Sequence, residues 1–186
     1  MARHILDEDV FPIVGWAGPG NEMIREDVMA GMSEAGFTVS HSSAGSDLKA
    51  VQRALDVAAA AGVRLLLVHP AYHVGDDYEL TAARREEIET LVKAIGEHPG
   101  LYGYHLRDEP RFHPLPRLAE VSRLIRSMDP YHLIYINHFP PIRGFGAPTI
   151  EWFWREYIRL CEPTMLSYDH YPVQVGTAED VARDAH

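Results

Sequence analysis

Leu101-Tyr102-Gly103-Tyr104-His105-Leu106-Arg107-Asp108-Glu109-Pro110 starts as an apolar strand and ends on two adjacent carboxylates and a proline. An apolar run of this length between turn residues reads as a short β-strand. Its polar end decides the fold, because the strand delivers its functional side chains at its C-terminus. The same pattern recurs along the chain. Trp16 follows the apolar run 12–16, Ser40 and His41 follow 37–40, and His69 closes 63–69. Asn137 and His138 follow 133–136, and Asp169, His170 and Tyr171 follow 165–168.

Amphipathic helices fill the intervals. Asn21 is placed to cap a helix reaching residue 35, Asp47 one over 48–61, and Thr81 one ending near 97. Further helices are expected over 115–128 and 149–161, with the start of a sixth at 177–186. Strict alternation of strand and helix argues for a parallel sheet covered by helices. A doubly wound open sheet would gather its polar chemistry at one switch point, often behind a glycine-rich first turn. A ring of functional side chains on nearly every strand end is instead how a (β/α) barrel of TIM type builds a site. The strand spacing gives a repeat of roughly 31 residues, so eight units want about 250, the usual size of such a barrel. The 186 residues hold about six units. The expected fold is therefore α/β: one domain over 1–186, an incomplete (βα)5–6 barrel lacking its last two units.

Composition narrows the function. Lys and Arg number 17 against 27 Asp and Glu, a formal charge of −10. An acidic surface repels phosphate, and no basic stripe is present, so nucleic acid is not an expected partner. The 46% apolar content and 10% aromatics fit an ordered globular chain. No apolar run approaches membrane-spanning length, so no membrane partner is expected. Cys161 is a lone cysteine and forms no intrachain disulfide. The charged start carries no signal-peptide core; the compartment stays open, with cytoplasm or secretion after signal removal both compatible.

Asp108 and Glu109 are the leading chemical candidates. Alternation along a strand points successive side chains to opposite faces, so one should face the mouth and the other outward or onto backbone. A carboxyl in an aromatic-lined mouth loses hydration and becomes a general acid near neutral pH. The bland alternative is a helix-capping pair, or a salt bridge to Arg107 or Arg111. His41-Ser42-Ser43-Ala44-Gly45 approaches a nucleophile elbow but has His where the tight turn needs Gly. Gly18-Pro19-Gly20 lacks the spacing of a dinucleotide fingerprint.

The segment 101–110 resembles the fourth strand of clan A glycoside hydrolases, which are (β/α)8 barrels. The likeness extends over about 12–173, and Leu166-Ser167-Tyr168-Asp169-His170-Tyr171-Pro172 resembles their sixth-strand end. The resemblance implies that Glu109 is the acid/base. Asp108 stands where that family usually has Asn, a departure. The family's nucleophile is a Glu on the seventh strand, which the six strands read here do not include; Asp169 is the best local second carboxylate. Glycoside cleavage needs an acid and a second carboxylate, and sugars stack on rings and bond to polar groups. Trp16, Tyr72, Tyr168 and Tyr171 could offer rings; His69, Asn137, His138 and His170 could offer polar contacts. The expected partner is a carbohydrate, with no cofactor and no metal. Open sheet edges at the first and last strands predict a homo-oligomer.

Two alternatives stay open. One is a metal-dependent sugar isomerase or epimerase using Glu109, Asp169, His170 and His138, although HExxH and paired Cys/His spacings are missing. The other is a non-catalytic carbohydrate-binding remnant.

Overall fold

The computed structural model describes residues 4–7, 9–140 and 146–171. Six strands form one sheet in the order β1-β2-β3-β4-β5-β6: Val14–Gly15, Val39–Ser43, Arg64–Val68, Leu101–Asp108, Leu133–His138 and Ser167–Tyr168. Every neighbouring pair is parallel. Five helices make the crossovers: α1 (Glu26–Glu34), α2 (Leu48–Ala60), α3 (Ala82–Ile95), α4 (Leu115–Met128) and α5 (Ile150–Cys161). Spatial order equals chain order, so no point exists where winding reverses, and the doubly wound arrangement is excluded. The fold is an incomplete (β/α) barrel of TIM type.

The sheet is buried on both faces, which is why β3 reads Leu65-Leu66-Leu67 without polar alternation. Leu65, Leu67, Tyr104, Leu106, Ile134 and Ile136 face the helices and join the larger core. Val39, Leu66, Tyr102 and Leu133 face the barrel interior and form a smaller core. Ile5, in the 3-10 turn Ile5–Asp7, packs into that inner cluster. Its backbone N–H donates to the Tyr131 carbonyl at 2.7 Å, which fastens the turn at that end. Gly103 lets β4 and β5 approach closely, since a Cβ there would run into the Leu133 carbonyl.

Asp47, Thr81 and Thr149 cap α2, α3 and α5 through side-chain acceptors for Ala50, Arg84 and Trp152 N–H groups. Asn21 does not cap α1. It has φ of 45° and opens the 3-10 turn Asn21–Met23, and the α-helix begins only at Glu26. β2 lies later in the chain than the expected 37–40, running to Ser43. Thr38 is held outside the strand, its N–H donating to the Ile13 carbonyl and its Oγ1 accepting from Ile13 N–H at 2.9 Å. His41–Ser43, expected as loop, are therefore strand. β4 and β5 run two residues further than expected, to Asp108 and His138. The expected sixth helix at 177–186 lies outside the described residues.

Candidate active site

At the mouth the strand ends gather three carboxylates around one amide. Asn137, on β5, donates from Nδ2 to Asp108 Oδ1 at 3.0 Å and to Asp169 Oδ1 at 2.9 Å. Its Oδ1 accepts from the Ser167 hydroxyl at 2.9 Å, and Ser167 and Tyr135 hydroxyls bond at 2.7 Å. Both amide protons and the carbonyl are thus engaged, which fixes the amide's orientation. Asp169 is seated by its own N–H on the His138 carbonyl at 2.8 Å, and its Oδ2 accepts from the Tyr171 hydroxyl at 3.1 Å.

Glu109 joins this group by an unusual backbone route. Its N–H donates to the Asn137 carbonyl at 2.8 Å, and its φ is 45°, left-handed for a non-glycine residue. The expected split of Asp108 and Glu109 onto opposite faces does not occur. Alternation ends with the strand at Asp108, and the left-handed turn brings the Glu109 carboxyl into hydrogen-bond reach of Asp169. Desolvation raises the Glu109 pKa first, with further upward pressure from the hydrogen bond and charge of Asp169 and from Asp108. The shift is in the direction that favours the protonated carboxyl, as a general acid requires.

A second polar layer lies below, on the inner face. Trp16 stacks on His41 at 4.2 Å with the rings 7° from parallel. The turn after β1 is held there by Gly18 N–H on the His41 carbonyl at 2.9 Å; a Cβ at Gly18 would strike Ser40 Oγ. His41 Nε2 and His105 Nδ1 are 3.1 Å apart, and the His105 ring centre lies 6.1 Å from His73 and 5.7 Å from Tyr135. Burial lowers the pKa values of His41 and His73, and that of His105 to about 3, the neighbouring imidazoles adding to the last. Arg107 reaches the Val74 carbonyl at 3.1 Å and Asp76 at 3.0 Å. Sequence reasoning missed His73, His105 and Arg107 as site residues and noted His41 only as a strand-end residue. Counting by twos, forward from Val39 to His41 or back from Arg107 to His105, was the signal that could have found those on strands.

Several expected ligand contacts belong elsewhere. His69 is buried on the outer face, its Nδ1 accepting from Ala71 N–H at 3.1 Å, among Ser46, Leu48 and Leu91 between α2 and α3. Tyr72 is a core residue whose hydroxyl donates to the Leu67 carbonyl at 2.8 Å. His138 points into a box of Phe153, Trp154 and Tyr157, and burial lowers its pKa to about 4. One residue beyond an inner-face position is an outer-face position, and that parity removes His138 from the mouth. Tyr168, half exposed, faces Trp154 at 6.1 Å rather than the carboxylates. Asn137 sits at the mouth, with its hydrogen bonds committed to protein groups. His170 is exposed. Tyr171 and Trp16 do stand beside the mouth groups, 62% and 44% exposed. The metal set of Glu109, Asp169, His170 and His138 is not assembled, since His138 lies behind the sheet. Among the described residues no three His, Cys, Asp or Glu side chains are placed to hold a metal ion.

No protein-family model matches the chain, and no curated protein does. Solved structures do. A β-1,4-mannanase from the sea hare Aplysia kurodai matches with TM-score 0.63 at 12% identity, covering 93% of this chain and 74% of that one. A β-1,4-D-mannanase from Cryptopygus antarcticus matches at TM-score 0.51 and 12% identity, over 66% of this chain. The chain spans 51% of that mannanase's length. A putative phosphonomutase from Burkholderia cenocepacia J2315 matches at TM-score 0.54 and 12% identity, over 87% of this chain and 62% of that one. At such identities the likeness shows the barrel fold.

Proposed function

We propose that this is a glycoside hydrolase-like protein that acts on or binds a carbohydrate, with Glu109 as general acid. The observation that carries the reading is the placement of Glu109. A left-handed turn sets a carboxyl with a raised pKa beside two further carboxylates at a barrel mouth flanked by exposed Trp16 and Tyr171. In this role Glu109 protonates the leaving glycosidic oxygen. Asp108 and Asp169 oppose the positive charge that develops on the sugar ring in an oxocarbenium-like transition state. The likeness of fold to β-1,4-mannanases supports a β-linked polysaccharide as the class to try first.

The second catalytic carboxylate carries a distance requirement of its own. A retaining pair stands about 5 Å apart, flanking the bond that breaks. Asp169 acts on Glu109 as a direct neighbour, helping to raise its pKa. That closeness favours a second reading for the 186-residue chain on its own: carbohydrate binding with weak or no turnover. The test is hydrolysis of aryl β-glycosides by the chain and by Glu109→Gln. Turnover lost in the variant supports the general acid. Turnover equal in both removes Glu109 from the chemistry.

A further inference from the structure

The hydrogen bonds around Asn137 run in one direction only. Ser167 has a single hydroxyl proton, and it goes to Asn137 Oδ1 at 2.9 Å. The 2.7 Å bond between Tyr135 and Ser167 therefore has the Tyr135 hydroxyl as its donor. With its carbonyl so engaged, Asn137 turns one amide proton to Asp108 Oδ1 at 3.0 Å and the other to Asp169 Oδ1 at 2.9 Å. A flipped amide would set its oxygen against both carboxyls, which only a protonated carboxyl could answer.

This chain treats Asp169 and Glu109 unequally. Asp169 receives a donor on each oxygen, Asn137 on Oδ1 and the Tyr171 hydroxyl on Oδ2 at 3.1 Å. Protonating it would turn one of those acceptors into a hydroxyl and weaken the bond it receives. Among the described residues the Glu109 carboxyl has no such donor: the side chain it meets is Asp169, and its backbone N–H is committed to the Asn137 carbonyl. A hydrogen bond between two carboxyls needs one proton. Asp169 and Asp108 are the charged groups that act on Glu109, and the Tyr171 hydroxyl stands in the same field.

We propose that Tyr135, Ser167 and Tyr171 are positioning residues: they fix the donors on Asp169 and so leave the proton of the Asp169–Glu109 pair on Glu109. This rests on the reading of Glu109 as general acid and deepens it, since three hydroxyls, two of them on β5 and β6, prepare the acid. The upward shift of the Glu109 pKa agrees in direction.

Carbon-13 NMR of the side-chain carboxyls between pH 3 and pH 8 tests this, the Glu109 signal being the one lost in Glu109→Gln. Without the Ser167 hydroxyl the amide is free to turn, and without the Tyr171 hydroxyl one Asp169 oxygen is open to a proton. The Glu109 midpoint is expected to fall by about one pH unit in Ser167→Ala and in Tyr171→Phe, as loss of one hydrogen bond to a charged group implies. Ser167→Thr keeps the hydroxyl and should keep the midpoint. Tyr135→Phe should move it less, because Ser167 still has its proton to give. Tyr72→Phe, in the outer core, should leave it in place. Tyr171 is 62% exposed, so its variant decides the matter if Ser167→Ala fails to fold. Midpoints unmoved in both variants overturn the positioning roles, and turnover lost in Glu109→Gln would then leave the acid reading standing. Midpoints that fall as stated, with turnover equal in Glu109→Gln, support the positioning roles and remove Glu109 from the chemistry.

Discussion

His105 and His138 sit near the ends of neighbouring strands and read alike in the sequence, yet they occupy opposite faces of one sheet. The inner face grades from the apolar floor of Val39, Leu66, Tyr102 and Leu133, through His41 and His105, to the Asn137 cluster. The outer face is core throughout: His69 accepts from Ala71, Tyr72 donates to Leu67, and His138 is enclosed by aromatic rings with neither ring nitrogen partnered among the described residues. The difference teaches that residue type at a strand end does not identify a functional group in a barrel. Parity along the strand does, because a shift of one residue exchanges mouth for core.

That comparison can be broken by experiment. The largest effect is expected at the inner rim. Glu109→Gln should reduce any glycoside hydrolysis by about 100-fold or more, the usual share of a general acid, in a rate assay on aryl glycosides. Retained rate would place the chemistry elsewhere. On the outer face the loss should fall on stability. His138→Ala opens a void among Phe153, Trp154 and Tyr157 and should cost about 2–4 kcal/mol in urea unfolding, with oligosaccharide affinity unmoved. An unchanged midpoint would mean that the box does not need its histidine.

Acid should weaken the fold through both faces. His105 and His138 are held down to about 3 and about 4 from an ordinary 6.5. The unfolded chain therefore takes up protons first as pH falls. Their contribution is intact above pH 6.5, shrinks as pH drops through the interval below it, and is fully lost once the folded values are passed. Urea midpoints at pH 7.5 and 5.0 should differ, and His138→Phe should narrow the gap; equal midpoints would contradict the burial of both rings. A smaller loss, about 1 kcal/mol, is expected for Tyr72→Phe, which leaves the Leu67 carbonyl without its donor. The least perturbing test is association. Val14 and Trp16 on the β1 side and Tyr168 on the β6 side are exposed, so light scattering at micromolar concentration should show self-association. A clean monomer would mean these edges are adequately shielded.

The sequence made the barrel legible because element order, apolar runs and the caps Asp47 and Thr81 could be read locally. Asp47 and Thr81 needed only their neighbours; Asn21 failed because its left-handed φ opens a 3-10 turn closed by local bonds, Met23 N–H to the Gly20 carbonyl and Ile24 N–H to the Asn21 carbonyl, before α1 begins. Glu109 was legible from its position after an apolar strand. Its partnership with Asp169 was not, since that depends on one backbone torsion. His69 and His138 were misread for a single reason: periodicity gives alternation, and only tertiary packing says which phase faces inward; Tyr72 lies in the turn after β3, and its ring folds back onto the core with its hydroxyl on the Leu67 carbonyl. The register irregularities on either side of β4, at Leu65/Leu66 in its pairing with β3 and at His105/Arg107 in its pairing with β5, blur even that count.

The Ile5 contact has a consequence in time rather than in space. Ile5 is synthesised long before Tyr131, the residue whose carbonyl holds it. Contacts of such sequence separation close late, after the loop between them has been ordered. The floor residues Val39, Leu66 and Tyr102 are therefore made before Leu133 completes the cluster and before Ile5 meets the carbonyl that holds it there.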